Sequence, residues 1–172
     1  MTEQPRPTGD RPAHPGDAAH PAKPAILVVG YGNPLREDDG AGWYVAGRIA
    51  ERYGDAAQVL RLHQLAPELS AEVAGVDLVI FVDARADKLD LGLQVTRVEP
   101  VDAPARSHYC SPGAILAAAQ TLFGRCPPGY LVSIPAHSFA YAERLTPQTL
   151  TAAGEAVEGI SRLIDDALAG RR

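Results

Sequence analysis

The chain has 172 residues, 46% of them hydrophobic, and a formal net charge of −5 at pH 7. This length suits one domain with its own hydrophobic core, and the acidic balance argues against nucleic acid or an anionic membrane as the main partner. No apolar run approaches the roughly 20 residues that a membrane-spanning helix needs. Two cysteines, Cys110 and Cys126, are too few for a disulfide framework, so we expect a cytoplasmic protein.

Residues 1–24 are rich in proline, glycine and polar side chains, which predicts a disordered tail. They lack the apolar segment of a signal peptide. We therefore expect one folded domain, over residues 25–172.

From residue 25 onward, strand and helix patterns alternate. This alternation predicts an α/β fold: a single domain with a mostly parallel, twisted sheet of about five strands and helices on both faces. Strands are expected at residues 25–29, 59–62, 77–83, 93–98 and 130–134. Apolar and polar residues alternate over residues 93–98, so this strand is placed nearer the edge of the sheet.

Helices are expected after residue 42, from 67 to about 74, from 112 to about 123, and from 147 onward. Ser111-Pro112 and Thr146-Pro147 each have the sequence of an N-cap followed by a proline in the first helical turn. The last helix carries apolar residues at helical spacing, and we expect this stripe to face the core: Leu150, Ala153, Val157, Ile160, Ile164 and Leu168.

The loop after the first predicted strand, residues 30–42, is the most informative segment and reads GYGNPLREDDGAG. Open α/β sheets build their sites in such glycine-rich turns at the carboxyl ends of strands. The adjacent acids Glu37, Asp38 and Asp39 would repel a phosphate, so the loop indicates cation binding or carboxylate chemistry. Dinucleotide binding is disfavoured because Leu35 stands where the fingerprint has its third glycine.

Three polar side chains are predicted to lie near one edge of the sheet. Asp39 lies in the loop after the first strand, Asp83 ends the third, and His108 precedes the helix that begins at Pro112. Because the carboxyl ends of parallel strands share an edge, the two aspartates should face one crevice, which His108 reaches if its loop folds over the same edge. Such a set suits a borderline divalent ion such as nickel or zinc, and it equally suits acid–base chemistry.

Each of these residues also has a structural interpretation. Asp39 and Asp83 are candidates for helix caps or turn formers, and a single histidine near a helix start is often structural. His63 and Glu68 follow the second strand and are placed along the same edge, while the role of His137 is left open.

Taken together, these motifs resemble the hydrogenase maturation endopeptidases, which process the large subunits of nickel–iron hydrogenases. The resemblance covers residues 25–168, essentially the whole folded part. Five segments carry it: residues 30–42, HQLAPEL at 63–69, FVDA at 81–84, Ser107-His108 with Ser111-Pro112, and IP at 134–135 with ERLTP at 143–147.

The resemblance implies a peptidase that removes the C-terminal extension of the large-subunit precursor after nickel insertion. Matched residue by residue, Asp39, Asp83 and His108 are the catalytic and nickel-recognising groups, and the nickel arrives with the precursor rather than being held by the free protein. Asp38 would then brace the turn, and Glu37 would be solvated. We expect a monomer whose partner is the precursor.

Two positions depart from the family pattern. His137 stands where relatives often have small or acidic residues, which leaves open an extra ligand or an altered substrate preference. Cys110 stands where the family often has an apolar side chain, which argues for packing rather than chemistry. The alternative function is a non-catalytic nickel-binding maturation chaperone of the same fold, and a nucleotide-binding α/β protein is a third possibility.

Overall fold

The computed structural model describes residues 25–86, 91–101 and 110–170. The predicted tail, residues 1–24, and His108 lie outside the described residues, so what we expect of them stays a prediction.

A five-stranded sheet lies at the centre of the described chain. Its strands are β1 (Ile26–Tyr31), β2 (Gln58–Leu62), β3 (Leu78–Ala86), β4 (Gln94–Val98) and β5 (Gly129–Ala136). Their spatial order is β2-β1-β3-β5-β4, and every neighbouring pair is parallel except β4 and β5. The α/β class, the mostly parallel sheet and the edge position of β4 are therefore confirmed.

Helices cover both faces of this sheet, as predicted. They are α1 (Ala41–Tyr53), α2 (Leu69–Ala74), α3 (Pro112–Phe123) and α4 (Pro147–Leu168). One face of the sheet packs against α1 and α4, and the other packs against α2 and α3. Among the described residues, no helix combines the length and the apolarity of a membrane span.

Both predicted N-caps are present. The Ser111 hydroxyl accepts a hydrogen bond from the N–H of Ala114 at 3.2 Å, and the Thr146 hydroxyl accepts one from Thr149 at 3.4 Å. Each cap satisfies a backbone donor that the first helical turn would otherwise leave unpaired. The two caps fix where α3 and α4 begin.

The inner strand β1 is buried on both faces. Ile26 and Val28 contact the core under α1 and α4, whereas Leu27 and Val29 contact the core under α2 and α3. A strand covered on both sides requires an uninterrupted apolar run, which is what the sequence has there. The loop that follows β1 is consequently anchored to the rigid centre of the fold.

The predicted apolar stripe of α4 is wrong at its first residue. Ala153, Ile160 and Ile164 are fully buried, but Leu150 is 45% exposed. Leu150 belongs to the first turn of α4, where it lines an open groove instead of packing on the strands.

The strand β3 is longer than predicted. We expected Asp83 to end it, but β3 continues to Ala86 because Asp83 and the next residues pair with β5. On its other side, the ladder with β1 ends at Val82. Asp83 is thus the first residue of β3 that has no partner in β1, which places it beside the loop that leaves β1.

The start of α1 packs directly on the carboxyl ends of β1 and β3. A Cβ atom added at Gly42 would lie 2.5 Å from the carbonyl oxygen of Tyr31 and 2.6 Å from that of Val82. Both neighbours are backbone atoms of buried strands, so neither can move without distorting the sheet.

We expect Gly42→Ala to lower the free energy of unfolding by about 1–3 kcal/mol, because the new methyl group overlaps backbone atoms. The matched control is Gly47→Ala in the same helix, where an added Cβ would have its nearest neighbour at 3.8 Å. That substitution should raise stability by about 0.5–1 kcal/mol through the better helix propensity of alanine. Urea denaturation measures both, and equal effects at the two positions would contradict the packing argument.

Candidate functional site

The strand order reverses direction between β1 and β3. From β1 the chain passes to β2 on one side and then crosses to β3 on the other side. Such a reversal leaves a crevice outside the carboxyl ends of the two strands, where open α/β sheets bind their ligands. The loop after β1 and the exposed end of β3 border this crevice.

The crevice contains a pocket of about 240 Å³ that brings Asp39 and Asp83 together. Its lining comes from the end of β1, the loops after β1 and β2, the strand β3 and the residue before the N-cap of α3: Tyr31, Gly32, Asp39, His63, Gln64, Leu65, Asp83 and Cys110. We refer to it as the acidic pocket. The structure therefore places the two predicted carboxylates, and also His63, where the topology indicated.

Asp39 is held by the loop that it belongs to. Its Oδ2 accepts a hydrogen bond from the N–H of Asn33 at 3.0 Å. The loop can close this tightly because Gly32 has a φ of +131°, and a Cβ there would lie 2.1 Å from the carbonyl oxygen of Asp39. The helix-cap interpretation of Asp39 is wrong, since α1 has Gly40 at its N-cap and no side-chain cap.

Asp83 has an unusual protonation equilibrium. Burial raises its pKa to about 6, and the negative charge of Asp39 acts in the same direction. Hydrogen bonds from the side chain of Tyr31 and from the backbone of Ala84 partly oppose this rise. The pocket thus holds a carboxyl group that exchanges its proton near neutral pH, as a general acid or base must.

Asp38 braces the loop, as predicted. It is fully buried. Its Oδ2 accepts three hydrogen bonds: from the backbone N–H of His137 at 2.8 Å, from that of Ser138 at 3.0 Å, and from the hydroxyl of Thr146 at 2.9 Å. Its Oδ1 accepts a fourth, from the backbone N–H of Thr146 at 2.7 Å. Burial alone would raise the pKa of Asp38, but hydrogen bonds from Thr146, His137, Thr149 and Ser138 lower that pKa below its ordinary value. Asp38 therefore ties the loop after β1 to residues 137–146, which we call the β5–α4 segment.

The prediction that Glu37 is solvated is wrong. Its side chain is only 5% exposed, and it accepts hydrogen bonds from the Ser138 hydroxyl and, at 3.1 Å, from Nε of Arg144. A φ of +43° lets the backbone make this turn. The partners lie in the β5–α4 segment, more than 100 residues away along the chain. Local sequence therefore carried no signal for this burial.

His63 and His137 lie in different surroundings. The ring of His63 is tilted against that of Trp43 with 5.1 Å between centroids, and Nε1 of Trp43 donates to the carbonyl oxygen of Leu62 at 2.7 Å. These contacts hold His63 at the rim of the acidic pocket. The side chain of His137 is exposed and does not line this pocket. His137 contacts the loop after β1 through its backbone N–H, which donates a hydrogen bond to Asp38.

Cys110 lines the acidic pocket, while its side chain also packs against the core beneath α2 and α3. Burial and then the negative charge of Glu68 raise the pKa of the Cys110 thiol. A raised pKa keeps the thiol protonated, which disfavours a nucleophilic role and agrees with packing. Glu68 is close enough to influence Cys110, although it does not line the pocket.

Within the described ranges, no three His, Cys, Asp or Glu side chains are arranged to hold a metal ion. Asp39 and Asp83 offer two carboxylates, which bind divalent ions through oxygen.

The described chain is an open α/β sheet with two carboxylates at its switch point, and comparison with solved structures narrows the fold further. The chain is similar to the hydrogenase maturating endopeptidase HybD from E. coli, with 24% identity, a TM-score of 0.69, and coverage of 83% of this chain and 93% of that one. It is also similar to the [NiFe] hydrogenase maturation protease HycI from Thermococcus kodakarensis KOD1, with 22% identity, a TM-score of 0.64, and coverage of 84% and 94%.

No family model and no curated protein matches the chain. The similarity to solved structures therefore establishes the fold: this chain has the fold of the hydrogenase maturation proteases. The fold that the sequence resemblance implied is confirmed, and the function has to be argued from the site.

Asp83→Asn should stabilise the protein at pH 7. The pKa of Asp83 is about 6 in the folded state against an ordinary value of 3.8, so the stability that its proton provides is lost as the pH rises through this window. Removing the charge should add on the order of 1–3 kcal/mol to the free energy of unfolding at pH 7. Urea denaturation of the wild type and the variant at pH 7 and pH 4 measures this gain in the free energy of unfolding. A gain of the same size at both pH values would contradict this account.

Asp38→Asn should lower the free energy of unfolding by about 2–4 kcal/mol. The N–H donors of the asparagine amide would then face the backbone N–H donors that now bond to Asp38, and these buried donors would lose their acceptor. Asp39→Asn is the matched control, since its single described bond from Asn33 can be kept by the amide oxygen. We expect it to cost less than about 1 kcal/mol. Equal losses of stability in the two variants at pH 7 would show that Asp38 does not brace the loop.

Proposed function

We propose that this protein is a peptidase that removes the C-terminal extension of a nickel–iron hydrogenase large-subunit precursor. One observation carries the proposal: Asp39 and Asp83 share a pocket at the switch point of a fold whose solved examples include proteins named as hydrogenase maturation proteases. The resemblance of the sequence motifs supports the same conclusion independently. We further propose that it works in the cytoplasm as a monomer.

In this proposal, nickel belongs to the substrate. Asp39 and Asp83 contact the nickel ion that the precursor already holds, and His108 is the third group, assigned from the sequence motif. Two carboxylates and an imidazole are acceptable ligands for nickel and leave coordination positions to the precursor. Recognition of the ion then signals that the precursor is loaded and ready for processing.

Asp83 is the proposed proton carrier in peptide hydrolysis. At neutral pH it is largely ionised and can accept a proton from water as the oxygen of that water bonds to the scissile carbonyl carbon. The protonated carboxyl group can then give the proton to the amide nitrogen as the C–N bond breaks. In the free protein the negative charge of Asp39 helps Asp83 to hold a proton, and the nickel ion that the precursor brings would favour the ionised carboxylate that acts as the base.

The test is cleavage of a nickel-loaded large-subunit precursor, followed as loss of mass at its C-terminus. We expect Asp39→Asn, Asp83→Asn and His108→Ala each to slow cleavage by about 100-fold or more, as losses of acid–base or ligand groups do. The matched control is Asp55→Asn, an exposed acid in the 3-10 turn Gly54–Ala56. It should cleave at the wild-type rate.

Three other results would each contradict part of this proposal. Undiminished cleavage by Asp39→Asn and Asp83→Asn would remove these residues from the site. Binding of the precursor without any change in mass would favour the nickel-binding chaperone. Thermal stabilisation by NAD or ATP, with none by divalent metal, would favour a nucleotide-binding protein.

A further inference from the structure

A second cavity lies next to the acidic pocket. It has a volume of about 640 Å³, within the usual range of ligand sites. We call it the aromatic groove and define it by the lining residues Leu35, Trp43, Tyr44, Glu143 and Leu150. The ring of Trp43 contacts that of His63, which lines the acidic pocket, so one aromatic side chain separates the two cavities. The proposed peptidase reaction does not use the groove.

The wall of the aromatic groove is apolar and open to water. Leu35 is 47% exposed, Tyr44 40% and Leu150 45%. They come from the loop after β1, from α1 and from α4, so three separate elements each present a large apolar side chain to one surface. Clusters of this kind on a protein surface mark places where a polypeptide binds.

The charges of the groove narrow the chemistry of its occupant. Glu37, at the edge of the groove, is already paired with Arg144 at 3.1 Å. The guanidinium group of Arg61 lies 5.9 Å from the centroid of the Trp43 ring, on the wall that β2 contributes. Glu143 is exposed on the opposite, β5–α4 wall, and no ion pair to it is formed by the described residues. Aromatic rings beside an open carboxylate suit a proline-rich segment that carries a basic residue.

The N-terminal part of this chain contains such a segment. Residues 11–15 read RPAHP, so Pro12 and Pro15 are three positions apart and Arg11 stands directly before the first of them. A polyproline II helix has three residues per turn, which puts both proline rings on one face. This conformation needs no internal hydrogen bonds and is common in unfolded chains, so it agrees with the prediction of a disordered tail.

The length of the intervening chain allows these prolines to reach the groove. The tail joins β1 at its amino end, whereas the groove lies past its carboxyl end, and six residues of strand span about 20 Å. From Pro15 to Ala25 there are ten residue steps, which extend over about 31 Å in polyproline II. A second motif with the same spacing, Pro21 to Pro24, is too close to β1, because four steps cover only about 12 Å. The reach therefore selects residues 11–15.

We propose that residues 11–15 dock in the aromatic groove of their own chain, with Pro12 and Pro15 against the rings of Trp43 and Tyr44 and with Arg11 toward Glu143. A short tether gives an effective concentration in the millimolar range, so a contact too weak to hold a free peptide keeps the groove covered. The tail then shields the apolar surface beside the acidic pocket. This inference does not depend on the peptidase reaction.

The first test uses the full chain and its single tryptophan, Trp43, which lies in the groove. Replacing both Pro12 and Pro15 by alanine should raise the acrylamide quenching constant of Trp43 about twofold, because one face of the ring loses its cover. The matched control replaces Pro21 and Pro24 by alanine, which removes the same number of prolines from the same tail. It should keep the wild-type quenching constant.

The second test asks whether Arg11 and Glu143 meet. Arg11→Gln and Glu143→Gln should each raise the quenching constant of Trp43, and the double variant should raise it no further, because either substitution alone removes the same ion pair. Glu155→Gln, an exposed acid of α4 outside the groove lining, is the matched control and should have no effect. Unchanged far-ultraviolet circular dichroism in every variant would exclude unfolding as the cause.

Three outcomes would overturn this inference. Equal quenching of Trp43 in the wild type and in the variant without Pro12 and Pro15 would show that the tail does not cover the groove. Additive effects of Arg11→Gln and Glu143→Gln would show that these side chains do not meet. A dimer in sedimentation that loss of Pro12 and Pro15 converts to a monomer would assign the groove to the tail of a second copy. Cleavage of the precursor is measured separately, so failure of either proposal is distinguishable from failure of the other.

Discussion

The site depends on one buried carboxylate that does not itself line the acidic pocket. Asp38 has no exposed surface and accepts hydrogen bonds from three backbone N–H groups and one hydroxyl of the β5–α4 segment. A carboxylate can be buried at this depth only when its oxygens are fully satisfied, so the two stretches of chain must stay together. The same contact fixes the loop that carries Asp39.

Three consecutive acids consequently have three separate roles. Glu37 forms an ion pair with Arg144, Asp38 joins two segments in the interior, and Asp39 faces the acidic pocket. The 3-10 turn Glu37–Gly40 makes this possible because it rotates successive side chains by about a third of a turn. Glu37 and Asp38 thus both contact the β5–α4 segment through different groups, whereas Asp39 faces the acidic pocket.

The alternation of apolar runs and amphipathic stretches predicts the layers of this fold, and the caps at Ser111 and Thr146 predict where two helices begin. These signals are local. The errors concern features that depend on distant partners: β3 extends past Asp83 because β5 lies beside it, and Glu37 is buried because Arg144 reaches it from 107 residues away. The joint position of Asp39 and Asp83 was predictable, since the topology of parallel strands alone brings their loops to one edge.

The long separation of Asp38 from its partners has a consequence for synthesis. These hydrogen bonds span 99 to 108 residues, and their donors precede the last helix. On the ribosome, β1 and the acidic loop emerge long before the segment that holds them, so the loop has no brace while most of the chain is being translated. The acidic loop can therefore be braced only after residue 146 has been made, and a product that ends before the β5–α4 segment has the acids without their brace.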